Sequence, residues 1–381
     1  MRLLICAGGT GGGVYPALSV WQALGEQVDD VLWVGGEGGM EADLVRREGI
    51  PFTSIPASAV HGVGLRTLVG LARAARGYFA ARKIIRQFRP DALFFTGGYV
   101  AIPVALAGWK KVPIVLYVPD IEPGWALKTL ARFAGHIALI AKDSLVYFPN
   151  AGTALLEGRP RLTVTGHPTR RGLADWEKGQ ALEVLRLSPD LPILFVFGGS
   201  KGARSINRAV IPLLPGLLAE MQVLHLTGKL DWDEVQAVRS ALPAGLAGRY
   251  RAFPYLYEEM GAAYAVADLV LSRAGASSVG EFPLFGVPAI LVPYPWAWRY
   301  QTVNAEFLVR HGAAIIVEND ALPEKLSAAV RGLMGDPARR DRMRAAMSAL
   351  ARPNAAGAIA DCLLDTVKQF QKNNGSNVRN A

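Results

Sequence analysis

Two stretches, one opening each half of the chain, repeat the same pattern. Leu3-Leu4-Ile5-Cys6-Ala7 runs into Gly8-Gly9-Thr10-Gly11-Gly12-Gly13, and Ile193-Leu194-Phe195-Val196-Phe197 runs into Gly198-Gly199-Ser200-Lys201-Gly202-Ala203. Each apolar run has the length of a buried parallel strand, and each ends in a glycine turn followed by a helical pattern. Glycine permits a tight turn and brings backbone N–H groups close to a ligand, and the helix start that follows favours negative charge. A single turn of this kind is common and often binds nothing. Two of them, one per half, predict a duplicated, doubly wound α/β architecture with its site in the cleft between two domains.

Further strand candidates fall at residues 31–34, 92–95, 114–117 and 137–140 in the first half, and at 223–226, 269–271, 289–292 and 314–317 in the second. Helical patterns alternate with them, which argues for parallel sheets wrapped by helices. Breakers between Gly158 and Pro168 mark the join. The expected domains are therefore 1–163 and 164–354, with a last helix over about 355–371 packing back on the first and a polar, disordered tail after it. In open α/β sheets ligands bind beyond the carboxyl ends of the strands. In the first half those ends carry the loop at 8–13, Thr96-Gly97-Gly98-Tyr99 and Val118-Pro119-Asp120. In the second they carry 198–203, Thr227-Gly228, 273–278 and 293–301.

Composition excludes several classes. The 381 residues, 51% of them hydrophobic, suffice for two globular domains, each with its own core. No uninterrupted apolar stretch reaches the ~20 residues of a membrane span, and the apolar run between Arg2 and Gly8 is too short for a secretory signal. Cys6 and Cys362 lack metal-ligand spacing and read as buried thiols, which points to a cytoplasmic protein. The net charge of +9 is unevenly spread: no acidic residue lies between Glu48 and Asp91, where Arg66, Arg73, Arg76, Arg82, Lys83, Arg86 and Arg89 interleave with Leu65, Tyr78, Phe79 and Phe88. Two readings stand. One is a membrane-surface contact that combines apolar insertion with attraction to anionic lipid. The other is an amphipathic helix packed on the sheet by its apolar stripe, with solvated arginines. No recognition fold accompanies the charge, so no nucleic-acid partner is expected.

Six motifs follow in order: GGTGGGVYP at 8–16, TGGYVAIP at 96–103, TGHPTR at 165–170, FGGSKGARSIN at 197–207, SRAGASSVGE at 272–281 and QTVNA at 301–305. Together they make residues 1–370 resemble the MurG family of bacterial glycosyltransferases, which add N-acetylglucosamine to the lipid-linked muramyl-peptide precursor of peptidoglycan. The resemblance implies a GT-B fold, with two Rossmann-like domains facing across a cleft, the nucleotide sugar on the second and the acceptor on the first. It implies an inverting transfer from UDP-N-acetylglucosamine to a lipid-linked acceptor, and a peripheral enzyme at the inner, anionic face of the cell membrane, contacting it through residues 65–89. No metal or other cofactor is expected. On the donor side the motif positions imply Gly199, Ser200 and Gly202 at the diphosphate and Arg170 against the charge on the departing UDP. They imply Glu281 on the ribose diol, backbone around Tyr257 and Met260 on the uracil, and Ala276 and Gln301 at the sugar hydroxyls. Glu281 and Gln301 also have a plain reading as polar helix-surface residues.

The acceptor side departs from the family. Where the first loop of the family carries a histidine, this chain has Gly13, so the acceptor loop Gly11-Gly12-Gly13 keeps the turn without the candidate base. The family's His-Glu-Gln-Asn segment is Tyr117-Val118-Pro119-Asp120 here, followed by Ile121-Glu122-Pro123-Gly124, and His167 stands where an asparagine is usual. Trp298, Arg299 and Tyr300 replace the acidic or polar residues that often precede Gln301. Asp120 or Glu122 is then expected to supply the base, with Thr10 and Tyr99 completing the catalytic rim. The competing reading of Asp120 is the cap of a helix starting near Pro123. Asp231-Trp232-Asp233 reads as a helix N-cap, not a metal-binding pair, and His61 lies in a first-domain loop that could reach the cleft. His136, His225 and His311 show no partner pattern. The acceptor-side changes leave two alternatives open: a UDP-sugar-dependent transferase with a different acceptor, and a degenerate nucleotide-sugar-binding protein.

Overall fold

The computed structural model describes residues 1–8, 11–39, 41–57, 65–149, 160–199, 202–296 and 299–379. The chain divides into two compact units, Met1–Arg170 with Pro353–Ala381, and Arg171–Arg352.

The first unit is built on seven parallel strands: β1 (Arg2–Cys6), β2 (Asp30–Gly36), β3 (Phe52–Ile55), β4 (Ala92–Phe95), β5 (Ile114–Val118), β6 (His136–Leu139) and β7 (Arg161–Val164), in the order β3-β2-β1-β4-β5-β6-β7. The inner strands β4, β5 and β6 are buried along their whole length, as expected for strands covered on both faces. Alternate side chains divide between two cores. Leu4, Leu93, Phe95, Leu116 and Leu139 pack on one face with Ala81, Ile85 and Val104 from the helices Leu65–Phe88 and Ala101–Gly108. Leu3, Ile5, Phe94, Val115 and Tyr117 pack on the other with Val14 and Leu18 of the helix Gly11–Leu24, and with Ile359 and Leu363 of the last helix, Ala355–Arg379. The last helix therefore belongs to the first unit, tied in also by Thr366 Oγ1, 3.3 Å from His136 Nδ1. The polar run at 373–377, expected as a disordered tail, continues this helix.

The second unit carries six parallel strands: β8 (Ile193–Phe197), β9 (Gln222–Leu226), β10 (Tyr250–Phe253), β11 (Leu269–Ser272), β12 (Ala289–Leu291) and β13 (Ala314–Ile316), in the order β10-β9-β8-β11-β12-β13. Each sheet reverses direction beside its first strand, between β1 and β4 and between β8 and β11, and the two glycine loops follow those first strands. A ligand site sits at such a switch point in open α/β sheets.

β3, β7 and β10 were not foreseen, and all three are edge strands. An edge strand leaves part of its surface to solvent and mixes polar residues into its sequence, so Phe-Thr-Ser-Ile, Arg-Leu-Thr-Val and Tyr-Arg-Ala-Phe show no continuous apolar run. β7 lies inside the stretch read as the join. It pairs in parallel with β6, from His136↔Arg161 to Leu139↔Val164, and carries the first unit on to Arg170, beyond the expected boundary at 163.

Candidate functional site

In the second unit, the loop after β8 turns through Gly199 (φ +90°) and Gly202 (φ +77°), where the Gly202 N–H donates to Gly199 O at 2.9 Å. Gly202 lies flat on the loop after β9, and a Cβ there would collide with the Thr227 carbonyl oxygen. Only glycine meets both the positive φ and the close approach. Because its own N–H is spent inside the turn, Gly202 shapes the loop and does not offer that amide to a ligand. Ser200 and Lys201 lie outside the described residues.

Glu281 opens the helix Glu281–Phe285, and its Oε2 accepts a 2.7 Å hydrogen bond from Tyr264 OH. Tyr264 is buried among Phe195, Phe197 and Phe282, with ring centroids 5.6–5.9 Å apart. The carboxylate is therefore fixed in direction and is not bare helix-surface polarity. Gln301, near the start of the helix Tyr300–Arg310, accepts from Tyr294 N at 2.9 Å and so braces the loop after β12, keeping Nε2 as a donor. Ala276 opens the turn Ala276–Val279 after β11. Beyond β10, Tyr257 is exposed and packs edge-on with Tyr255 at 4.6 Å, whereas the Met260 side chain is buried, which leaves only its backbone for a ligand.

Two bracing networks under this rim escaped the sequence reading. Arg273 Nη1 donates to Val292 O (3.0 Å) and Pro293 O (3.3 Å), and its Nη2 donates to Ser205 Oγ (2.7 Å), which donates to Asn319 Oδ1 (2.7 Å). One guanidinium thus ties the ends of β11 and β12 to the helix after the glycine loop. Asp231 corrects an expectation. It occupies the N-cap position of the helix Trp232–Ser240 but makes no side-chain capping bond. Its carboxylate instead takes Arg204 Nε at 2.8 Å and Asn207 Nδ2 at 2.7 Å. Asn207 Nδ2 also donates to Thr227 O (2.8 Å), and Asn207 Oδ1 lies 3.0 Å from His225 Nε2, whose Nδ1 lies 2.9 Å from Tyr250 OH. Burial lowers His225 to about 4, so the chain of polar groups is neutral at the imidazole. Arg204, Ser205, Asn207 and Arg273 all sit inside the motifs already singled out, and that was the available signal.

In the first unit, Gly11, Gly12 and Gly13 form the first turn of the helix Gly11–Leu24, while Gly9 and Thr10 lie outside the described residues. Gly98 (φ +88°) backs directly on Gly8, where a Cβ would stand 3.2 Å from Gly8 O. Thr96 Oγ1 donates to Gly13 O at 2.7 Å. A Cβ at Gly13 would meet Thr96 Oγ1 at 3.4 Å and Gly8 O at 3.8 Å, which is ordinary contact, so packing does not forbid a side chain there. Tyr99 is exposed beside this turn. The loops after β1, β4 and β5, three adjacent strands, bring the glycine turn, Thr96–Tyr99 and Asp120 to one sheet end. The helix expected near Pro123 begins at Trp125 with Gly124 as its N-cap, so Asp120 is not its capping residue. Glu122 is buried, with Oε1 3.6 Å from Lys128 Nζ on that helix, which commits its charge to an ion pair. The Arg170 guanidinium lies 4.9 Å from the centre of the Tyr15 ring, on the helix that carries Gly13.

Two departures from the family meet each other. Tyr117 OH lies 2.9 Å from His167 Nδ1, and both side chains are buried. Burial holds His167 at about 4 and pushes the Tyr117 hydroxyl well up, with the Asp120 charge adding to the rise. His136 links β6 to Thr163 at 2.8 Å as well as to the last helix, and His311 Nδ1 lies 2.8 Å from Phe307 O. His61 lies outside the described residues. Among the described residues no group of three or more His, Cys, Asp or Glu could hold a metal ion.

Among the described side chains of the basic helix Leu65–Phe88, Ala81 and Ile85 are buried, and Tyr78, Ile84 and Phe88 are half-buried against the same core. Arg73, Arg76, Arg82, Lys83 and Arg86 are exposed, and so is Phe79, at 65%. The helix packed beside it exposes Leu106, and Trp109 just beyond is exposed with Lys110 Nζ 4.7 Å over its ring. Among the described residues, no helix is long and apolar enough to cross a membrane.

Comparison with known proteins covers both units. Residues 3–139 match the glycosyltransferase family 28 N-terminal domain, and residues 193–359 match the C-terminal domain of that family. The chain is similar to the UDP-N-acetylglucosamine–N-acetylmuramyl-(pentapeptide) pyrophosphoryl-undecaprenol N-acetylglucosamine transferase of Roseiflexus sp. (strain RS-1), 40% identical over 420 residues that cover 96% of this chain and 95% of that one. The protein of the same name from Halothermothrix orenii is 34% identical, covering 97% and 100%. The crystal structure of Acinetobacter baumannii MurG matches with a TM-score of 0.74 at 28% identity, covering 96% and 99%. With two Rossmann-like domains of the GT-B type and this likeness along nearly its whole length, the chain belongs to the MurG family of glycosyltransferases.

Proposed function

We propose that this chain transfers N-acetylglucosamine from UDP-N-acetylglucosamine to the muramyl sugar of a lipid-linked peptidoglycan precursor, with inversion at the anomeric carbon. The observation that carries the reading is the likeness, along 96% of the chain, to a relative named for that reaction. In the transfer, the acceptor hydroxyl oxygen bonds to the anomeric carbon as the bond to the UDP oxygen breaks. The hydroxyl proton passes to a base, and the electron pair leaves on the diphosphate. Gly199 and Ser200 donate to that diphosphate, with Gly202 setting the turn, and Arg170 offsets the charge that develops on it. Glu281, directed by Tyr264, accepts from the ribose diol, the backbone at Tyr257 and Met260 receives the uracil, and Ala276 and Gln301 meet the sugar. Asp120 takes the proton, because it follows β5 at the same sheet end as the glycine turn, while Glu122 is engaged by Lys128. Thr10 and Tyr99 flank the acceptor. Backbone and basic groups do the work that a metal does elsewhere, so no metal is required.

The same reading puts the first unit on an anionic membrane surface. Phe79, Leu106 and Trp109 supply apolar contact, and the cations around them (Arg82, Lys83, Arg86, Lys110, Lys111) supply attraction. The test is radiolabelled UDP-N-acetylglucosamine with lipid-linked muramyl-pentapeptide and a chelator, expected to give labelled lipid and one UDP per transfer. Turnover only on a different acceptor, or donor binding without turnover on any acceptor, would overturn it.

A further inference from the structure

The strands of the second unit are parallel, so the ends at which they begin lie opposite the donor rim. There, at the starts of β8, β9 and β10, a cavity of about 620 Å³ is lined by Arg186, Ser188, Asp190, Gln222, Arg249 and Arg251, among others. Gln222 is buried and staples the wall: Oε1 accepts from Ser188 N at 2.7 Å, and Nε2 donates to Ser188 O at 2.7 Å and Leu191 O at 3.1 Å. Two of the arginines are held as well. Arg251 Nε donates to Arg186 O at 2.8 Å, and Arg249 Nη1 donates to Leu218 O at 2.9 Å and Ala219 O at 3.2 Å. None of the three pairs with a carboxylate among the described residues, and each keeps guanidinium N–H groups beyond these bonds. Asp190, the one acidic residue of the lining, accepts from the Ser188 hydroxyl at 2.8 Å.

We propose that this cavity is an anion site, separate from the donor rim, for a soluble ligand bearing an oligophosphate. Three like charges gathered around a single carboxylate, with no ion pair to it, repel one another. Arg251 registers this, since burial and the nearby Arg239 and Arg186 charges lower its proton affinity. Guanidinium forks match phosphate oxygens in pairs, and the volume suits a small molecule better than a single inorganic ion. The donor loop offers backbone amides from glycines, whereas this site offers three side-chain cations, so the two differ in salt dependence.

The test is calorimetric titration of the full chain with inorganic tripolyphosphate while saturating UDP occupies the donor rim. One equivalent should bind, more weakly as salt rises. Arg186 is exposed and its side chain makes no bond among the described residues, so Arg186→Gln should leave the fold intact and weaken binding by about tenfold. Arg251→Lys, which keeps the charge without the fork, should fall between. Parallel sedimentation with phosphatidylglycerol vesicles distinguishes the source of the phosphate. Vesicle binding unchanged by Arg186→Gln supports a soluble ligand, and vesicle binding lost with it assigns the site to a lipid headgroup and overturns the soluble assignment. No binding of tripolyphosphate beside UDP, or equal affinity in Arg186→Gln, overturns the site itself.

Discussion

Acidification should loosen the first unit about twice as much as the second. His136 and His167 in the first unit and His225 in the second are buried, and each is held at about 4, mainly by desolvation of the charged imidazolium; Arg161 adds to the effect at His136. An unfolded histidine titrates near 6.5, so below that pH the unfolded chain binds more protons than the folded one. The stability these neutral imidazoles contribute is complete above about pH 6.5 and is lost as the pH falls toward about 4. At pH 5 the linkage relation gives a loss of about 2 kcal/mol for each such group, hence about 4 kcal/mol for the first unit and about 2 for the second. Replacing His167 by asparagine keeps a polar partner for Tyr117 OH but removes the titration. His167→Asn should therefore halve the acid loss of the first unit and leave the second unchanged. The assay is urea unfolding between about pH 7.5 and pH 5, read by hydrogen exchange on peptides from β5 and β9. Equal pH dependence in wild type and His167→Asn, or stability that rises on acidification, would refute the reasoning. The consequence reaches the site, because β5 ends at Val118, two residues before Asp120 and four before Glu122.

Gly202→Ala places a Cβ at positive φ against Thr227 O, a strain of about 1–2 kcal/mol before any collision; KM for the nucleotide sugar should rise at least about tenfold with KM for the lipid acceptor unchanged, and an unchanged donor KM sinks the assignment of the loop. Asp120→Asn should lower kcat by about 10²–10⁴-fold, the usual worth of a positioned base, while UDP binding measured by calorimetry stays the same; full activity removes Asp120 from the mechanism. Because a Cβ fits at Gly13, Gly13→His should fold and should recover about tenfold or more of the rate in the Asp120→Asn background, and absence of recovery in steady-state kinetics means the imidazole does not reach the acceptor. Tyr264→Phe removes the bond to Glu281 Oε2 at 2.7 Å and should weaken UDP binding by about three- to tenfold; an affinity equal to wild type shows that Glu281 is held by other means.

What the sequence conveys and what it hides follow from the same physics. Ile193-Leu194-Phe195-Val196-Phe197 is legible because both faces of β8 are covered, whereas Arg161-Leu162-Thr163-Val164 is not, because an edge strand leaves polar residues at its surface and its pairing with β6 is decided by partners elsewhere in the chain. The donor rim is legible at its glycines, since positive φ and close approach restrict the residue type, but not in its bracing. The Asp231 carboxylate looks like a helix cap in one dimension and is an anchor for Arg204 and Asn207 in three. The acceptor side shows the sharper lesson. Read position by position, Tyr117 and His167 are two departures that weaken the case for the family's acceptor. In the fold they are neighbours 2.9 Å apart, both buried, so the two departures are coupled to each other. At the first sheet's end the departures include the missing side chain at Gly13 and Val118-Pro119-Asp120. Since a Cβ at Gly13 meets only ordinary contacts and Asp120 follows β5 at the same sheet end, a base moved from the glycine turn to the loop after β5 is compatible with this fold.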